Sequence, residues 1–129
     1  MKLIKLLAFL TLFVSILNSP VFAGFTEGVT AYGAGNMPLA FKEFRAAAED
    51  GHSDSQFNLG LMYERGIGVS RDENEAVAWY LKAALQGNSN AQYNLAVLYE
   101  NGRGTDVDFA QAHWWYYKAA VQGDGLAIG

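Results

Sequence analysis

The sequence predicts an all-α protein, a right-handed α-solenoid of antiparallel helix pairs holding about two and a half to three repeats. Three observations predict it. First, AVAWYLKAALQG (residues 76–87) returns as AHWWYYKAAVQG (residues 112–123), with an offset of 36 at every matched pair. A fixed period of roughly twenty to fifty residues marks stacked repeats. Second, Ser55, Leu59, Met62 and Tyr63 fall on one helical face, as do Ala76, Trp79, Tyr80, Ala83 and Ala84. Spacings of three and four residues give an amphipathic helix its stripe. Third, glycines recur where such helices would stop: Gly51, Gly66, Gly68, Gly87, Gly102, Gly104 and Gly123. A helix ends readily on a left-handed residue, which glycine reaches without a Cβ penalty.

Residues 1–23 read as a leader. Lys2 and Lys5 precede an apolar run over residues 6–17, and Asn18, Ser19 and Pro20 break it before Val21-Phe22-Ala23. This is the charge, core and small-residue cut site of a secretory signal peptide, with cleavage after Ala23. The apolar run is too short to cross a hydrocarbon core of about 30 Å. The expected product is exported, periplasmic or secreted, and not held in a membrane after cleavage. The chain carries a net charge of −4, and losing two lysines makes it −6. Nucleic acids and anionic lipid surfaces are therefore poor partners, since both need clustered Lys and Arg. With no cysteine, a disulfide framework and thiolate metal sites are excluded.

Residues 24–50 read as a weaker helical hairpin. Shifted by 36, its Ala40, Phe44, Ala47 and Ala48, with the Gly51 that follows it, fall on Ala76, Tyr80, Ala83, Ala84 and Gly87. Residues 51–86 and 87–122 are the full copies. Gln56, Asn58, Leu59, Tyr63, Glu64, Gly66, Gly68 and Asp72 return as Gln92, Asn94, Leu95, Tyr99, Glu100, Gly102, Gly104 and Asp108. Ser53 with Gln56, Ser89 with Gln92 and Ser70 with Glu73 have capping-box spacing at the helix starts. The expected core adds Ala112, Trp115, Tyr116, Ala119 and Ala120 to the residues already named. One helix pair cannot cover its own apolar face, so the next pair presents the same surface. Residues 123–129 form a C-terminal tail.

Leu59-Gly60-Leu61-Met62-Tyr63, Gly66-Ile67-Gly68-Val69, Asp72, Ala76, Trp79-Tyr80, Lys82-Ala83-Ala84 and Gln86-Gly87 together resemble the Sel-one-like repeat, a longer-loop relative of the tetratricopeptide repeat. The resemblance covers about residues 25–127. The second copy departs at Ala96 and Thr105, which replace Gly60 and Val69. The resemblance implies an adaptor or scaffold in protein assemblies. Some cysteine-rich members of this superfamily are linked with β-lactam binding and hydrolysis, but each of their repeats carries a cysteine pair that this chain lacks. A β-lactam enzyme is the disfavoured alternative.

Nothing in the sequence assembles a catalytic constellation. Gly66-Ile67-Gly68 and Gly102-Arg103-Gly104 lack the preceding strand and the lysine of a phosphate loop. His52 and His113 stand at non-equivalent positions with no companion ligand, so no metal and no cofactor is expected. Glu73 and Glu75 cannot face one another on a helix. Two features read as binding candidates. Asn58 and Asn94, with Gln56 and Gln92, would line the first-helix face and form an amide ladder for an extended peptide. The plainer alternative is that these amides tie neighbouring loops. Trp114 and Tyr117 are extra rings where the earlier copy has Ala78 and Leu81, and extra exposed rings call for a covering surface. Either Leu126 and Ile128 fold back over this end, or it meets another molecule, including a second copy. The expected partner is thus a protein or peptide.

Overall fold

The computed structural model describes residues 19–122 together with Lys2 and Lys5. Among these residues six helices run in sequence: α1 (Pro20–Gly33), α2 (Met37–Glu49), α3 (Ser53–Arg65), α4 (Glu73–Leu85), α5 (Ser89–Asn101) and α6 (Phe109–Gln122). Each packs chiefly against its neighbours in the chain, giving the pairs α1/α2, α3/α4 and α5/α6 stacked in order. This is an all-α solenoid. None of the described helices is long and apolar enough to cross a membrane.

The core follows the repeat. Ala76, Tyr80, Ala83 and Ala84 of α4 meet Ala91, Leu95, Ala96 and Leu98 of α5, with Trp115 of α6 closing the cluster. Leu59 packs with Ala48 and Trp79. Tyr63 and Tyr99 pack at the edge of these clusters and are half-buried. Ala112 and Trp115 are buried, whereas Tyr116, Ala119 and Ala120 are only half-buried. Their counterparts Tyr80, Ala83 and Ala84 lie beneath α5, and no described helix covers α6 in the same way.

One local expectation needs correction. The helix starts are not the serine capping boxes. Ser53 and Ser89 are the first helical residues, and the caps are His52, whose Nδ1 accepts from Ser55 N at 3.1 Å, and Asn88, whose Oδ1 accepts from Ala91 N at 3.0 Å. Gln56 and Gln92 cannot reach back because their amides are buried and donate to Ala48 O and Ala84 O, each at 3.1 Å. Asp72, not Ser70, caps α4 by accepting from Glu75 N at 3.1 Å. A carboxylate at a helix N-terminus also gains from the dipole.

The expected register holds for α2, and the first helix adds a difference. A shift of 36 relates α2 to α4, but α1 relates to α3 at a shift of 32. Phe25 against Phe44 (6.1 Å between ring centres) is the counterpart of Phe57 against Tyr80 (5.9 Å). A Cβ on Gly28 would come within 2.7 Å of the Phe44 ring, as one on Gly60 would come within 2.6 Å of Tyr80. The cause is the connection. Residues 34–36 join α1 to α2, whereas residues 66–72 and 102–108 join the later pairs.

The longer connections reach backwards. Gly66 and Gly102 end their helices in the left-handed conformation, at φ 67° and 63°. Gly68 and Gly104, both at φ 70°, then press their backbones against Met37 and Glu73 at the start of the preceding pair's second helix. Gly51 and Gly87 turn the chain between pairs at φ 93° and 92°. Gly123 lies outside the described residues, as do Leu126 and Ile128.

Candidate functional site: a groove between successive first helices

The four expected amides divide on inspection of their surroundings. Gln56 and Gln92 are buried and spent on the fold. Gln86 Nε2 donates to Gln56 Oε1 at 2.7 Å, and Gln122 Nε2 to Gln92 Oε1 at 3.4 Å, so each buried glutamine links two helices. These two side chains offer nothing to a ligand, and the reading in which amides tie neighbouring segments describes them. Asn94 is engaged as well, its Nδ2 donating to the Tyr80 hydroxyl at 3.3 Å. Asn58 differs. Among the described residues its side chain has no hydrogen-bond partner, and it faces a cavity of about 260 Å³ between α1 and α3.

That cavity is lined by Val29 and Tyr32 of α1, Phe44 of α2, Asn58, Leu61, Met62 and Arg65 of α3, and Ile67 of the following loop. The register explains why it is open. One unit along, the corresponding positions hold Leu61, Glu64, Tyr80, Asn94, Val97, Leu98, Asn101 and Arg103. There the Tyr80 hydroxyl donates to Glu64 Oε2 at 2.6 Å, and Arg103 reaches Glu64 at 3.4 Å and Glu73 at 3.3 Å. A polar network thus spans the α3/α5 crevice. In the α1/α3 crevice Tyr32 replaces Glu64, Phe44 replaces Tyr80 and Ile67 replaces Arg103. Every member of the network except the asparagine has become apolar or aromatic.

The bond within this network and its repeat one unit on shift the two phenols' proton equilibria. Burial, then the bond to Glu64, pushes the Tyr80 phenol far above its ordinary value, and burial with the Glu100 bond (2.7 Å) pushes Tyr116 up to about 12. A phenol whose folded value exceeds its unfolded value near 10 stabilises the fold fully below pH 10, and that contribution fades as pH rises through the folded value. Stability should therefore fall as pH climbs from about 10 towards 12. The double variant Tyr80→Phe/Tyr116→Phe should show a shallower fall. Denaturant midpoints across this range check it, and identical slopes for both proteins would contradict it.

The second candidate lies elsewhere. Trp114 (51% exposed) and Tyr117 (55% exposed) lie side by side with ring centres 6.4 Å apart and planes tilted by 34°, and Lys118 Nζ is 5.6 Å from the Trp114 ring centre. Of their counterparts, Ala78 lies on an outward line of α4 with Leu85, which stays 72% exposed although α5 is stacked beside it. Ala78 is likewise exposed, so Trp114 stands on an outward position, whereas Leu81 is half-buried against the α4/α5 core and Tyr117 therefore stands where a following pair would pack. His52 caps α3 and packs on Phe25 at 4.6 Å, while His113 is exposed. Only the structure could single out the α1/α3 groove, because a uniform shift of 36 pairs Val29 with Arg65 and hides the substitution of one network by another.

Residues 53–88 and 89–124 match the Sel1 repeat. The chain belongs to the Sel1 repeat family. Sel1 repeat proteins generally mediate protein–protein interaction, and the fold is typically a non-catalytic scaffold. The chain is 51% identical over 45 residues to DAP3-binding cell death enhancer 1 of Rattus norvegicus, covering 35% of this chain and 9% of that protein. It is 39% identical over 67 residues to an exopolysaccharide production negative regulator of Rhizobium meliloti (strain 1021), covering 52% of this chain and 25% of that protein. Among solved structures it is similar to c5321, a protective antigen of uropathogenic Escherichia coli strains displaying an SLR fold. The TM-score is 0.78 at 32% identity, over 83% of this chain and 24% of that chain. The chain thus spans a quarter or less of the length of these relatives.

Proposed function

We propose that this protein is an exported, non-enzymatic adaptor that holds a protein or peptide partner in the α1/α3 groove. One observation carries the reading: an apolar crevice with an uncommitted amide stands where the next unit fills the same space with its own side chains. Concave sites of this kind, apolar with a few placed polar groups, are where ligands bind. The binding of DAP3 attributed to the rat relative supports a partner of the same general kind, a protein.

Export fits the way α1 is built. Its buried residues, Gly24, Gly28 and Ala31, all lie beyond the expected cut after Ala23, so cleavage removes the Ser19 cap and the half-buried Val21 but none of the helix's buried residues. The mature chain would begin at Gly24 in the periplasm or outside the cell. The acidic charge, −4 before cleavage, gives neither nucleic acid nor anionic membrane a reason to bind.

Affinity capture from the envelope fraction tests the reading, with wild type compared against Val29→Trp, which fills the groove from its exposed edge. A partner recovered by wild type and lost with Val29→Trp supports it. The same set of proteins recovered by both, or a native chain whose intact mass retains residues 1–23, removes it. Turnover of a chromogenic β-lactam by the purified protein would favour the enzymatic alternative instead.

A further inference from the structure

The lining of the α1/α3 groove also specifies what kind of partner segment fits. We propose that it receives an extended peptide in which an apolar side chain is followed directly by an acidic one. The inference rests on the adaptor reading and deepens it. At about 260 Å³, the cavity falls just below the roughly 300–1,000 Å³ of small-molecule sites. It suits one inserted side chain rather than a cofactor. Phe44, Leu61, Met62 and Ile67 supply apolar walls on which a leucine-sized group loses water.

Two polar groups border this floor. Asn58 presents an amide with no partner among the described residues, able both to donate to a peptide carbonyl and to accept from a peptide N–H. Arg65 is exposed at the end of α3 and makes no ion pair with any described residue, whereas Arg45, Arg71 and Arg103 all hold carboxylates. An uncommitted guanidinium beside an apolar cavity, on a protein of net charge −4, selects a carboxylate at the cavity mouth. In the neighbouring α3/α5 crevice a carboxylate of the fold itself, that of Glu64, lies between Tyr80 and Arg103. In the α1/α3 groove Tyr32 stands in place of Glu64, and the lining offers Arg65 no carboxylate of its own.

The experiment uses synthetic peptides, acetylated and amidated at their ends, titrated into the 15N-labelled protein and followed by NMR. One carries a central Leu-Glu pair, and others carry Leu-Gln or Ala-Glu. A last one ends in leucine with a free carboxylate. The Leu-Glu peptide should shift the Asn58 side-chain amide and the Val29 and Leu61 backbone signals saturably, leaving the Asn94 side chain unmoved. The Leu-Gln peptide, and the Leu-Glu peptide on Arg65→Gln, should each bind about tenfold more weakly, the scale of one charge-assisted hydrogen bond. Ala-Glu should not bind measurably. No saturable shift at millimolar peptide, equal binding of Leu-Glu and Leu-Gln, or binding of the free-carboxylate peptide alone would each overturn the proposal. Arg65→Gln is a surface change, so loss of fold does not confuse the result. Should envelope capture remain sensitive to Val29→Trp while Leu-Glu fails to bind, this inference falls and the adaptor reading stands.

Discussion

Tyr80→Ala should cost about 3–5 kcal/mol, the range for emptying a fully buried aromatic site. Tyr80 is wholly enclosed, with its ring laid over Gly60 and beside Phe57 and its hydroxyl shared by Glu64 and Asn94. Against a total stability of roughly 5–15 kcal/mol, such a loss leaves many chains unfolded. Tyr80→Phe keeps the ring and removes only the hydroxyl, so about 1–2 kcal/mol is expected, as one partly buried hydrogen-bonding pair loses its partner. The smaller change is tolerable because Phe44 occupies the same place one unit earlier. Urea unfolding followed by helical circular dichroism separates the cases. Equal losses for the two variants would mean that the ring does not fill the space the structure assigns to it.

Gly104→Ala should cost about 2–4 kcal/mol, combining a left-handed backbone with overpacking. A Cβ there would overlap Glu73 O and lie 3.0 Å from Asn74 N, and backbone atoms cannot swing aside as a side-chain tip can. Gly35→Ala is the control. It shares a positive φ, 79°, but has nothing within 4 Å. Only the conformational part remains, about 1 kcal/mol. If the two substitutions shift the urea midpoint equally, the close approach of the 102–108 connection to α4 is not a determinant of stability.

Much of the architecture was legible in the amino acids. A 36-residue recurrence that includes both aromatic blocks and paired glycines admits few folds other than stacked helix pairs, and Ala76 and Tyr80 lie buried against α5 while Trp79 is buried against Leu59 and Ala48. The site was legible only in part. Asn58 and Asn94 look identical in sequence, yet one is engaged by a tyrosine hydroxyl and the other is not, and that difference arises at Phe44, fourteen residues away. Gln56 and Gln92 read as ligand-facing because amides are polar, but a buried amide that meets a carbonyl is a strut. The helix starts escaped sequence reasoning for a similar reason. Histidine, asparagine and aspartate all accept from the N–H three residues on, so the spacing alone did not choose between neighbouring candidates.

Gly68 and Gly104 each lie against the pair before them, and Arg103 extends towards the same pair. The couplings therefore share a polarity, like roof tiles laid in one direction. Severing the last overlap frees one tile, whereas disturbing the middle pair, which is clasped by its successor and clasps its predecessor, loosens both of its seams at once.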